Sequence, residues 1–97
     1  MDFFKPTSDG YTIYTKSRCS FCTKAKILLE EENHVIVDCD EYLIDENTKQ
    51  QFLQFMETLI GKSYRTFPMI FKDGDFIGGF SETKISYDKA NAFNGDF

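Results

Sequence analysis

The sequence has no tryptophan, one histidine, two prolines and three cysteines in 97 residues, and more acid than base. Each shortage excludes something. No apolar run approaches the roughly 18 residues that a membrane-spanning helix needs. The opening Met1-Asp2-Phe3-Phe4-Lys5-Pro6 lacks the basic and then apolar pattern of a secretory signal. The expectation is a cytoplasmic chain with no membrane association. Lys and Arg number 11 against 16 Asp and Glu, giving a net charge of −5 and a pI near 4.7. That balance argues against bulk nucleic-acid binding, which rests on a basic footprint. Three cysteines are too few, and odd in number, for a secreted disulfide scaffold. Two of them form Cys19-Ser20-Phe21-Cys22, a pattern of thiol chemistry or of a metal site in a reducing compartment.

What is present is bulk and local charge. Eleven Phe and five Tyr supply core candidates, and the length suits one domain, residues 1–97, with a single core. There is no internal repeat and no low-complexity tract. Thr12 to Leu29 holds Lys16, Arg18, Lys24 and Lys26 and no acid, whereas Glu30 to Glu46 holds eight acids and no Lys or Arg. The cysteine pair thus sits in a locally positive stretch of an acidic chain.

Periodicity gives the element order. Tyr11 to Thr15 is β-branched and aromatic and reads as a strand. A helix is expected from Cys22 to about Glu31, with Cys22, Ala25, Leu28 and Leu29 on one side. Val35 to Val37 reads as a short buried strand, and Asp38 to Asp45 as an acidic connection. Thr48-Lys49-Gln50-Gln51 fits a capping box. Phe52, Phe55, Met56, Leu59 and Ile60 then recur at helical spacing as a core stripe, which Gly61 terminates. Met69 to Phe71 and Phe76-Ile77 flank an Asp73-Gly74 hairpin turn. Gly78-Gly79 ends the last strand, a weakly patterned helix follows from Ser81, and Asn94 to Phe97 are expected to fray. The order β-α-β-α-β-β-(α) predicts an α/β fold: a four-stranded mixed sheet flanked by helices, with one right-handed parallel crossover.

Three segments carry chemistry. Cys19 lies where a strand gives way to a helix, so unpaired N–H groups, the helix dipole, Lys16 and Arg18 all favour its thiolate. Cys22, one turn on, is the more buried partner, so the pair reads as nucleophile and resolving thiol. A zinc site using Cys19, Cys22, His34 and Cys39 is the competing reading; about 15 Å of intervening helix counts against it. Thr66-Phe67-Pro68 opens the third strand with a residue that donates no hydrogen bond, leaving Phe67 as a backbone edge on which a peptide can dock. Gly78-Gly79-Phe80-Ser81-Glu82 is a strand-to-helix turn suited to a carboxylate, or simply a bend with Ser81 as N-cap.

Together, Tyr11 to Thr15, Lys16-x-x-Cys19-x-x-Cys22, Ala25-Lys26-x-Leu28-Leu29, Thr66-x-Pro68 with Ile70-Phe71, and Ile77-Gly78-Gly79 resemble the glutaredoxin family over residues 11–82. The absence of tryptophan separates the chain from thioredoxin proper and its Trp-Cys-Gly-Pro-Cys signature. The resemblance implies a thioredoxin-like fold and a monomer that uses glutathione to reduce disulfide-containing or glutathionylated proteins. It makes Cys19 the nucleophile and Cys22 the resolving thiol. It assigns Lys16 to the glycyl carboxylate of glutathione and the Phe67 backbone, before a cis Pro68, to the cysteinyl backbone. The turn Gly79, Phe80, Ser81 and Glu82 would take the γ-glutamyl carboxylate. No resident metal is expected. Departures are Ser20 for the usual Pro, Phe21 for the usual Tyr, a longer Lys62 to Arg65 loop, and Leu53 where a Gln or Arg usually binds glutathione. Gln51, Gln54 or Arg65 would substitute. Ser20 keeps open a dimer bridged by a [2Fe–2S] cluster on Cys19 and glutathione. A redox-inactive interaction domain with Phe67 and Phe80 as an exposed patch is the third alternative.

Overall fold

The computed structural model describes residues 2–94. The element order is β1 (Tyr11–Thr15), α1 (Ser20–Leu28), β2 (His34–Asp38), α2 (Asp40–Leu43), α3 (Glu46–Ile60), β3 (Met69–Lys72), β4 (Asp75–Gly78) and α4 (Phe80–Asn94). The four strands form one mixed sheet in the order β2-β1-β3-β4. β1 pairs parallel with β2, placing Tyr11 opposite His34, and antiparallel with β3, placing Tyr14 opposite Met69. The β3–β4 hairpin turns through Asp73 and Gly74, both at positive φ, the geometry a tight hairpin requires.

Strand alternation divides the core in two. Tyr14, Met69 and Phe71 point to one side and pack with Phe52, Leu53 and Met56 of α3, together with Val37 and Cys39. Ile13, Tyr11 and Ile70 point to the other and meet Ala25 and Leu29 of the α1 region, with Phe80 and Tyr87 of α4 against them. Helices therefore cover both faces, as the sequence pattern predicts. The aromatic surplus lies mostly on the α3 side: Phe52 contacts Phe3, Tyr14, Tyr42 and Phe67. Phe52 is fully buried, so truncating it would cost about 3–5 kcal/mol.

Several local expectations are corrected. α1 starts two residues early, because Cys19 itself is the N-cap, and stops at Leu28. The acidic connection contains the short helix α2. α3 starts at Glu46 because the Asp45 carboxylate takes the Thr48 N–H at 3.0 Å; Thr48 is the capped residue and not the cap. Leu53 replaces Leu59 in the buried stripe, Leu59 being turned to solvent. β2 is an edge strand, with Val35 and Ile36 exposed and Val37 buried. Cys39 lies just past β2 and is fully buried rather than half-buried. α4 begins at Phe80, so Ser81 sits inside the first turn and is not the N-cap. Its weak stripe buries Thr83 and leaves Ile85 exposed. The fraying expected of Asn94 to Phe97 lies, beyond Asn94, outside the described residues.

Candidate active site

The site forms where β1 ends. Lys16, Ser17 and Arg18 carry the chain from the sheet to α1, and Arg18 adopts φ 56°. That left-handed conformation is uncommon for a residue with a side chain and falls immediately before Cys19. The Ser17 N–H is held by the Asp40 carboxylate at 2.8 Å, which ties this loop to α2.

Cys19 then caps α1. Its sulfur accepts the Cys22 N–H at 3.1 Å and lies 3.6 Å from the Phe67 carbonyl oxygen. The two cysteines form a disulfide with Cα atoms 5.2 Å apart. Cys22 is buried and Cys19 partly exposed, so an incoming thiol reaches Cys19 first. Among the free groups that the mechanism could recruit, Cys39 is buried, with its sulfur 3.6 Å from the Val37 carbonyl. His34 is the first residue of β2 and Cys39 follows its last, about 16 Å of extended chain apart, and among the described residues they do not converge with the pair on one ion.

The Phe67–Pro68 peptide bond is cis. Phe67 precedes β3 and stands outside the ladder that begins with Met69 opposite Tyr14. Its ring stacks on Phe52 at 6.2 Å and an interplanar angle of 9°, which fixes the residue from the core. Two clefts share Phe67 as their common wall. One, of about 370 Å³, is lined by Phe21, Thr66, Phe67, Pro68, Gly79, Phe80, Ser81 and Glu82. The other, also about 370 Å³, is lined by Lys16, Leu43, Lys49, Leu53, Arg65 and Phe67.

The first cleft ends on the N-terminus of α4. By position, the Phe80 and Ser81 N–H groups have no acceptor within the helix. The Gly79 N–H does have one, the Glu82 carboxylate at 2.9 Å. Glu82 therefore serves as the returning arm of a helix cap. Gly78 must stay small for this: at φ 140° a Cβ there would lie 2.9 Å from the Glu82 side chain. Phe80 and Phe67 are half-buried, and Phe80 stacks on Phe21 at 6.0 Å. The interaction-domain alternative has the Phe67 and Phe80 rings exposed; here both are half-buried in the wall of the cleft, and Phe21 is the more open ring of the stacked pair.

The second cleft has Lys16 and Arg65 in one lining. Leu53 lies in its wall, as the resemblance places it, and contributes only apolar surface. Gln51 and Gln54 are exposed on α3 and do not line it. Lys49, one helical turn before Leu53, does line it. In the sequence Lys49 falls within the Thr48–Gln51 capping-box pattern, whereas the cap is Asp45. The i, i+4 relation to Leu53 is the signal that would have found Lys49.

Comparison with known proteins points to the same span. The family model described as Glutaredoxin matches residues 11–77. Glutaredoxin-2, mitochondrial, of Bos taurus is 37% identical over 75 residues, covering 73% of this chain and 43% of that protein. Glutaredoxin 1 of Rickettsia felis is 37% identical over 67 residues, covering 69% and 61%. This chain thus spans less than two thirds of the length of these relatives. The crystal structure of Glutaredoxin 1 from Francisella tularensis complexed with cacodylate superposes with a TM-score of 0.65 at 31% identity, over 84% of this chain and 95% of that one. A buckwheat glutaredoxin–glutathione complex shares the fold, with a TM-score of 0.64 at 20% identity over 87% and 73%. The matched span runs from the first residue of β1 into β4 and takes in Cys19, Cys22, Phe67 and Pro68, and on it the chain belongs to the glutaredoxin family.

Proposed function

We propose that this chain is a glutathione-dependent thiol–disulfide oxidoreductase acting on disulfide-containing and glutathionylated proteins. One observation carries the reading: Cys19 caps α1, receives the Cys22 N–H on its sulfur, and is paired with a buried Cys22. The same N–H that supports a thiolate therefore belongs to the residue that can resolve it.

In the forward half-reaction the Cys19 thiolate attacks the glutathione sulfur of a mixed disulfide. The bond to the substrate sulfur breaks, a Cys19–glutathione disulfide forms, and the substrate thiolate leaves and takes a proton from water. Cys19 is released when a second glutathione thiolate attacks the glutathione sulfur bound to it, giving glutathione disulfide. In the two-cysteine route the Cys22 thiolate attacks Cys19, glutathione leaves, and the Cys19–Cys22 disulfide forms; two further glutathiones reduce it.

The clefts suit an anionic tripeptide. Lys16 and Arg65 would hold the glycyl carboxylate, the Phe67 backbone the cysteinyl unit, and the free N–H groups of Phe80 and Ser81 the γ-glutamyl carboxylate. Glu82 acts there by capping Gly79. The reading extends to a monomer in the cytoplasm, where glutathione keeps thiols reduced. The test is hydroxyethyl-disulfide reduction coupled to glutathione reductase. Cys19→Ser should abolish turnover, and Cys22→Ser should retain a substantial fraction of it. Equal and complete loss in both variants would overturn this division of roles.

A further inference from the structure

Charge around Cys19 is distributed unevenly. The cleft of Lys16, Lys49 and Arg65 contains three cations and no acid in its lining. The adjoining surface, lined by Lys16, Ser17, Arg18, Asp40, Leu43 and Ile44, adds a fourth cation. Its one acid, Asp40, is already engaged by the Ser17 N–H at 2.8 Å. Among the described residues the one salt bridge is Lys84–Asp88 on α4, so Lys16, Arg18, Lys49 and Arg65 are paired with no carboxylate there. This is a positive face on a chain of net charge −5. Glutathione presents a single carboxylate at its glycyl end, which Lys16 and Arg65 suffice to hold. Lys49 and Arg18 are surplus to the tripeptide.

Between the cations lies apolar surface. Leu43 is common to both linings, and Ile44 is 83% exposed. We propose that the two surplus cations, Arg18 and Lys49, together with Leu43 and Ile44, dock an acidic segment flanking the reactive cysteine of the protein substrate, with Lys49 as the specificity-determining residue. This rests on the oxidoreductase reading and supplies the partner's chemistry: Asp or Glu residues around an apolar side chain. Complementary charge chiefly selects partners and speeds encounter, so the preference should fade as salt screens it.

The test uses two glutathionylated peptides of equal length, one with Asp and Glu about a Leu on each side of the cysteine, the other with Lys in place of the acids. Turnover is measured with the full chain. Binding is measured by anisotropy on Cys19→Ser, which cannot exchange through that residue. A single-stranded oligonucleotide of equal charge is the control. The acidic peptide should bind at least about fivefold more tightly at low salt and show a similar advantage in kcat/KM. Half a molar salt should erase most of that. Lys49→Gln should reduce the preference for the acidic over the basic peptide several-fold, and Lys49→Arg should keep it. Equal binding of the two peptides, or oligonucleotide binding as tight as that of the acidic peptide, would overturn the proposal. Loss of hydroxyethyl-disulfide turnover with the binding preference intact would overturn the oxidoreductase reading and leave the docking face standing.

Discussion

Cys39 shows how much a cysteine's surroundings decide its chemistry. It shares the chain with the disulfide-bonded Cys19 and Cys22, yet it is fully buried, and burial, with Asp38 and Asp40 nearby, pushes its thiol up to about 12. The thiolate is the reactive form, so Cys39 is inert in the fold. Oxidised native protein should give no reaction with a thiol reagent at pH 8 and one thiol per chain after denaturation. Since its folded pKa lies above its unfolded one, Cys39 stabilises the fold fully below about pH 9, and that contribution is lost as pH rises toward 12. Tyr14 is also raised, by burial first and by Cys39 and Tyr42 next, and adds to the same alkaline loss. The denaturation midpoint should therefore fall between pH 9 and 12, less steeply in Cys39→Ala. A native thiol that labels readily at pH 8 would contradict this account.

Among the elements, α3 connects the core to the site. It buries Phe52, Leu53 and Met56, stacks Phe52 on Phe67, and sets Lys49 and Leu53 in the cationic cleft. Its start is fixed by Asp45, which takes both the N–H and the hydroxyl of Thr48. Asp45→Ala should lower stability by about 1 kcal/mol, measured by denaturant unfolding, and loosen the first turn that carries Lys49. Asp45→Asn, which keeps an acceptor, should recover most of it. Unchanged stability in Asp45→Ala would place the start of α3 elsewhere.

The sheet was legible because Tyr11 to Thr15 and Met69 to Phe71 carry strand residues buried on both faces, and because Asp73-Gly74 is a local turn signal. α2 was not legible, since four residues give no period. The start of α3 was misread because Asp45 and Thr48 both suit a cap, and only geometry shows which one accepts. The edge position of β2 is a matter of topology that Val35 to Val37 cannot express. Within the site, the order of Lys16, Cys19 and Cys22 could be read directly. Lys49 and the capping role of Glu82 could not, because each depends on which elements meet.

At the scale of the whole molecule, the acidic total conceals a site of opposite sign. The acids from Glu30 to Glu46 follow α1 in sequence, while Lys16, Arg18, Lys49 and Arg65 line the clefts beside Cys19. The Cys22 N–H lies 3.1 Å from the Cys19 sulfur, and the positive end of the α1 dipole is beneath it. This arrangement should hold Cys19 as a thiolate at neutral pH. The most direct measurement is the pH dependence of Cys19 alkylation in reduced Cys22→Ser protein. The midpoint should lie at least about two pH units below the free-cysteine value of roughly 8.5; a midpoint at or above that value would mean that Cys19 is an ordinary thiol.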